Sequence, residues 1–300
     1  MAGEKKYKTE WSFSFDQLGK DIGEFVTNLG GGSEETIRQD EFSAALDGAA
    51  SAQVRIDFSI GESRLHALTN LDNLIEADLT YVGDIRFVVT GEAEKSVILS
   101  QSAKPSDWAR NIVGWIGSRG KLRWDIGLAT GIPIALEVHG GVGEVKLDLT
   151  ELDLTSFHLY GGTGEIEVRL PDRTDAYPAV IHSGLGELEI SIPAHTTVDL
   201  NVRAGAGEVD ITVGEGANVT ARIDGGLGEC QIHLPAGMEG RVEASTGIGD
   251  IRLNPAFRRI SGGDNDFISK SGIWQTANYD DAASRLTLHY SGGVGELKIT

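Results

Sequence analysis

The chain has 300 residues, with 45 Asp plus Glu against 26 Lys plus Arg and a formal net charge of −19 at pH 7. That balance argues against a nucleic-acid partner, because no basic surface is available to neutralise a row of phosphates. It argues equally against an anionic membrane surface as a partner for the body of the chain.

The first predicted element is an amphipathic helix over residues 9–30. Trp11, Phe15, Leu18, Ile22, Phe25, Val26 and Leu29 recur at steps of three and four, with Lys20, Asp21 and Glu24 off the stripe. Gly30-Gly31-Gly32-Ser33 ends it and starts a link. Residues 1–33 therefore stand apart from a β region over 34–300. Two roles are open for the stripe: it caps the repeat body or packs on a partner, or it lies on a membrane surface. Basic residues gather only before it, at Lys5, Lys6 and Lys8.

Val54, Ile56, Phe58 and Ile60 alternate with polar residues and open the β region. A Gly-x-Gly-Glu/Asp phrase then organises the chain. It is clearest at Gly141-Val142-Gly143-Glu144 and returns at Gly164, Gly186, Gly207, Gly228, Gly249 and Gly295, counted by its second glycine. The first five steps are 21, 22, 21, 21 and 21 residues, and the last is 46, two periods of 23. Degraded copies fall at Gly61, Gly83, Gly120 and Gly272, giving eleven units. Residues 105–117 interrupt the series. Pro105-Ser106-Asp107 is a helix start, and Trp108, Ile112, Trp115 and Ile116 make one apolar face, so an inserted helix is expected.

Within each unit the residues two, four and six after the marking glycine are apolar. Val145, Leu147 and Leu149 become Ile166, Val168 and Leu170, then Leu188, Ile190 and Ile192. Period two with one apolar face is a strand covering a core. A unit of about 21 residues cannot bury that face alone, so stacking is required. The predicted fold is all-β: a single-stranded β-solenoid of about eleven coils. Glycine supplies the backbone angles of a tight corner. The residue between the two glycines (Val142, Leu185, Ala206, Leu227, Ile248, Val294) is mostly apolar and is expected to point inward.

The Gly-x-Gly lacks the third glycine and following helix of a dinucleotide-binding loop, and its recurrence marks a structural corner. The acidic residue after it is the main candidate for interaction: Glu144, Glu165, Glu187, Glu208, Glu229, Asp250 and Glu296. Stacked at about 4.8 Å, these carboxylates form a ladder in which neighbours repel by about 0.9 kcal/mol in water. Hydrogen bonds from backbone N–H groups of the next corner, with solvent screening, are expected to offset this; cations or basic partner side chains are the alternative. A second column, His139, Tyr160, His182, Arg203, Asp224 and Ser245, lies four residues before each mark and is a solvated edge or a binding strip. The other histidines show no ligand spacing, so no metal site is expected, and no cofactor. Cys230 occupies an inward position and reads as a small core residue. A single cysteine leaves no internal disulfide and fits a reducing compartment. No apolar run reaches membrane-spanning length, and Met1–Lys8 lacks the apolar core of a secretory signal. The expected location is the cytoplasm, with a peripheral position at the inner face of the membrane as the alternative.

The stretch from Trp124-Asp125-Ile126 through Ile132-Pro133-Ile134 to Gly162-Thr163-Gly164-Glu165 resembles the bacterial toast-rack domains. These occur in cell-wall-stress response regulators and adhesin-like proteins. The resemblance rests on Gly-x-Gly-Glu-x-x-Leu-Asp-Leu, Leu152-Asp153-Leu154 and a second Gly-x-Gly-Glu, and extends loosely over residues 50–300. It implies a β-solenoid used for protein interaction, often linked to the envelope, with no catalytic residues to carry over.

The leading functional expectation is a non-catalytic scaffold that self-associates, end to end into a filament. Its motive is Thr300, which closes on the apolar strand of the last unit and would leave that coil uncovered. A peripheral envelope-stress or adhesin-like factor, binding a membrane protein or a cell-surface component, is the alternative. A polysaccharide-active β-helix enzyme is a further rival.

Overall fold

The computed structural model describes residues 37–70, 72–102, 122–262 and 270–300, all within one unit. The predicted helices over 9–30 and 105–117, and the mark at Gly120, lie outside the described residues.

Strands are numbered along the chain. The first six are β1 (Arg38–Ala45), β2 (Ser51–Asp57), β3 (Ile60–Ala67), β4 (Asn73–Tyr81), β5 (Asp84–Thr90) and β6 (Glu94–Ser102). Then come β7 (Arg123–Leu128), β8 (Ile134–His139), β9 (Val142–Asp148), β10 (Leu154–Tyr160) and β11 (Thr163–Arg169). They are followed by β12 (Tyr177–His182), β13 (Leu185–Ile192), β14 (Thr197–Arg203) and β15 (Ala206–Val213). β16 (Asn218–His233), β17 (Glu239–Leu253) and β20 (Arg285–Ile299) run unbroken through their corners, while β18 (Arg258–Ser261) and β19 (Lys270–Gln275) are short. One 3-10 turn, Tyr279–Asp281, precedes β20, and no α-helix occurs among the described residues.

The all-β expectation holds, and the repeat is solenoid-like. Each coil gives one strand to a ladder before the corner and one to a ladder after it. The first ladder runs β8, β10, β12, β14 and β16, all parallel. The second runs β3, β9, β11, β13, β15 and β16, also parallel. Its register places Gly61 on Gly143, Gly143 on Gly164, Gly164 on Gly186 and Gly186 on Gly207. The inward positions named from the sequence become stacked columns. Val145, Ile166, Leu188, Val209, Cys230 and Leu297 are buried, as are Leu147, Val168, Ile190, Ile211, Ile232 and Ile299. No coil completes its core alone; each apolar face is covered by the rungs on either side.

Three expectations are corrected. Gly83 marks no coil: the strand after it, β5, runs antiparallel to β6. Gly272 marks none either, because it lies inside β19, antiparallel to β17 and opposite Ala244. Apolar alternation alone is blind to strand direction, so both segments mimicked a parallel rung. The third correction concerns order. β20 does not follow β17 at the end of the stack. It is inserted between β16 and β17, pairing in parallel with both. Thr300 N–H donates to the Ile232 carbonyl at 3.0 Å, and Leu234 N–H donates to the Thr300 carbonyl at 2.9 Å. The last coil in the sequence is therefore covered on both sides.

The other end repeats the device. β2 lies between β6 and β8, and β3 lies between β7 and β9. Antiparallel strands close that end: β5 on β6, β4 on β7, and β1 on β4. β1 carries a weak apolar pattern and, though inside the predicted β region over 34–300, precedes the first strand expected there, at Val54. Its Asp40 accepts a 2.5 Å hydrogen bond from the Tyr81 hydroxyl. At the opposite end β19 and β18 continue the first ladder. The second ladder stops at the later half of β17, which pairs only with β20 among the described residues.

Candidate functional site

The strand after each corner begins one residue before the marking glycine, as at Val142, Leu185 and Ala206. Period-two alternation therefore runs through the corner itself. Even offsets from the mark face the core and odd offsets face solvent. The marking glycine adopts φ between +123° (Gly61) and +148° (Gly295). A Cβ on Gly207 would stand 1.7 Å from the Gly186 carbonyl oxygen of the neighbouring rung, so the marking position admits no side chain.

The residue before the mark consequently points outward. This corrects the expectation that it faces the core. Leu185 is 44% exposed, Leu227 57%, Val294 44% and Ile248 55%. Register puts Leu185, Ala206, Leu227, Val294 and Ile248 on five consecutive rungs. At about 4.8 Å per rung they form an apolar ridge along the corner. Polarity alone had placed these residues inside; carrying the strand alternation one residue further back would have found the ridge.

The acidic ladder stands beside the ridge, two residues on. In stack order it reads Glu62, Glu144, Glu165, Glu187, Glu208, Glu229, Glu296 and Asp250. Glu62 was not among the expected rungs. The structure thus brings all seven predicted carboxylates into one column. Side-chain partners stand beside Glu144, Glu208, Glu296 and Asp250. Lys146 Nζ lies 2.5 Å from Glu144, and Arg252 lies 3.0 Å from Glu296 and 3.6 Å from Asp250. Lys270 also pairs with Asp250. The hydrogen bond and charge of Lys270 hold the Asp250 carboxyl below its ordinary range. The hydrogen bond and charge of Glu144 raise the Lys146 ammonium.

The next outward column decides where charge accumulates. It reads Arg64, Lys146, Glu167, Glu189, Asp210, Gln231, Lys298 and Arg252 in stack order. Basic residues therefore sit at both ends and acids in the middle. The middle rungs Glu165, Glu187 and Glu208 are exposed, and the Gln231 amide donates to Glu208 at 3.2 Å.

The second predicted column lies on the first ladder. His139 and Tyr160 stack with centroids 4.7 Å apart, and His182 meets Tyr160 edge-on at 5.2 Å. The Tyr160 ring thus meets both neighbouring rungs while remaining 39% exposed. His139 Nε2 lies 2.7 Å from Glu137 Oε1. That hydrogen bond, against some burial and with the charges of Arg55, His139 and His158, lowers the Glu137 carboxyl. Arg203 and Asp224 follow in register, and β20 places Ser291 between Asp224 and Ser245. Cys230 is buried, and burial pushes its thiol up to about 12. Trp11, Phe15, Leu18, Ile22, Phe25 and Leu29 lie outside the described residues. Among the described residues no group of three or more His, Cys, Asp or Glu is placed to hold a metal ion. Nor is any described helix long and apolar enough to cross a membrane.

The family model for the N-terminal domain of toast_rack matches residues 32–191, more than half of the chain. The chain belongs to the toast-rack family. Two solved structures are similar to this toast-rack chain. One is a cell adhesion candidate from Clostridium sporogenes ATCC 15579, with 19% identity, 88% of this chain and 99% of that chain covered, and a TM-score of 0.41. The other is an adhesin candidate from Bacteroides fragilis NCTC 9343, with 11% identity, 90% and 100% covered, and a TM-score of 0.39. No curated protein matches the chain.

Proposed function

We propose that this toast-rack chain is a non-catalytic interaction scaffold that self-associates through its corner ridge. One observation carries the reading: Leu227, Val294 and Ile248 are exposed on successive rungs, with exposed Leu185 two rungs before Leu227. A contiguous exposed apolar strip flanked by charge is the usual mark of a docking surface.

Magnitudes set the kind of contact. About half of each side chain is open, so burying all four contributes roughly 4 kcal/mol. Immobilising a partner costs about 4–15 kcal/mol. The ridge alone thus supports a weak, concentration-dependent contact. The later half of β17 adds to it. Ile248 ends the ridge, and Ile251 and Leu253 on the same half-strand are only partly buried. Among the described residues that half-strand pairs on one side only, and a second copy would supply a matching edge. End-to-end growth therefore begins at β17, not at Thr300. On this reading the scaffold works in the cytoplasm.

Sedimentation velocity across a concentration series tests the proposal. The expected result is a weight-average sedimentation coefficient that rises with concentration. A monodisperse monomer at the highest concentration would overturn self-association. The ridge would then serve a heterologous partner, the adhesin-like alternative.

A further inference from the structure

The placement of β20 conflicts with the period of the sequence, and the conflict is informative. Gly228 and Gly249 are 21 residues apart, the step that elsewhere puts one rung on the next. Yet β20 lies between their strands. It keeps the same register to each: Gly295 faces Gly228 on one side and Gly249 on the other. Leu297 likewise faces Cys230 and Ile251, and Ile299 faces Ile232 and Leu253. With β20 removed, β16 and β17 meet in register, glycine on glycine and apolar side chain on apolar side chain.

The connections carry the same signal. Residues 193–196 join β13 to β14 and residues 214–217 join β15 to β16, each stepping up one rung. Residues 234–238, one residue more, join β16 to β17 and step up two. They span about 10 Å instead of about 5 Å. Closing the slot relaxes this connection and replaces part of the lost pairing with a direct ladder from β16 to β17. β20 also brings everything a rung needs: inward Leu286, Leu288, Tyr290, Leu297 and Ile299, and a corner glycine of its own.

We propose that β20 is an exchangeable rung: β20 of one copy enters the slot between β16 and β17 of a second copy. A slot defined by register and core pattern accepts the same strand from either source, which is the condition for a swapped assembly. The inference rests on the self-association reading and names a route for it that does not use the ridge.

Cys230 and Leu297 are in-register neighbours, both buried, and allow a direct test. Adjacent strands fall within the Cα range of a disulfide. In a Leu297→Cys chain, mild oxidation should close a bridge within one molecule. Unmodified chain is then mixed with a tagged Cys230→Ser/Leu297→Cys chain and oxidised after prolonged incubation. The expected product is a covalent heterodimer. Its absence, while the Leu297→Cys chain closes its own bridge, overturns exchange. Hydrogen exchange on the unmodified chain decides the matter if the variants do not fold. Exchange of β20 predicts faster-exchanging amides in 285–299 than in β14 and β15, although β20 is paired on both sides. Equal protection overturns it. Sedimentation of the unmodified chain separates the two readings: oligomers without cross-link remove strand exchange and leave the ridge. A monomer that nevertheless cross-links removes the ridge and leaves exchange.

Discussion

Gly249 sits so close over Gly295 that a Cβ on Gly249 would stand 1.6 Å from the Gly295 carbonyl oxygen, at a φ of +147°. The contact is backbone to backbone, so no side chain can move to relieve it. Gly207 repeats it over Gly186 at 1.7 Å in the middle of the stack. Gly207→Ala should destabilise by about 3 kcal/mol or more, combining left-handed strain with a steric clash. Gly237 is the control: φ is +79° and nothing lies within 4 Å of the Cβ position. Gly237→Ala should cost only about 1 kcal/mol. Denaturant midpoints of the two variants check the difference, and similar midpoints would contradict the stacked-corner account.

The middle of the acidic ladder makes the opposite prediction. Glu187 has carboxylates in register on both sides, Glu165 and Glu208, with Glu189 two residues on. Glu187→Gln removes like-charge repulsion of about 0.9 kcal/mol per neighbour at most. It should raise stability by a few tenths of a kcal/mol at low salt, and the gain should vanish at high salt. A loss of stability would mean that a cation or a basic partner holds the ladder.

Glu137 should give the fold an acid-side dependence. His139, and more weakly Arg55 and His158, lower its carboxyl below the ordinary value of 4.5. A lowered carboxyl contributes stability that is complete above the unfolded value and fades as pH falls through the folded one. The gap between the unmodified chain and Glu137→Gln should therefore be widest above pH 4.5 and close as pH falls below it. Its size should stay under about 1 kcal/mol, because the side chain is 38% exposed and screened. Thermal melts of both proteins from pH 3 to about pH 7 give the comparison. A gap that widens on acidification would contradict the pairing.

Cys230 should be chemically silent in the folded protein. Burial raises its thiol to about 12, helped by the charges of Asp210 and Glu229. A thiol reagent at neutral pH should label it only as fast as the surrounding rungs open. Rapid stoichiometric labelling of the native chain would place the residue at the surface.

The rungs themselves were legible. Val145, Ile166, Leu188, Val209 and Cys230 recur at a fixed distance from a glycine, and that recurrence fixes a strand and its inward face. The order of the rungs was not. Every coil carries the same corner and the same apolar columns, so Gly295 fits on Gly228 as well as Gly249 would. Chemical equivalence of the units hides which one touches which. Direction was also hidden: β4 and β5 alternate like parallel rungs but run the other way. Of the candidate site, the ladder was visible from Glu144 to Glu296. The ridge was missed because Leu227 and Ile248 were assigned by polarity, against the alternation of their own strands.

On the proposed function the corner ridge is an adhesive surface and not a by-product of packing. Leu227 and Ile248 are its most exposed members. Leu227→Lys/Ile248→Lys should leave the denaturation midpoint within about 0.5 kcal/mol of the unmodified chain, as expected for surface positions. Sedimentation velocity at matched concentrations is the deciding measurement. Under conditions where no strand-exchange cross-link forms, the unmodified chain should associate and the double variant should sediment as a monomer. Unchanged association of a folded double variant would contradict it.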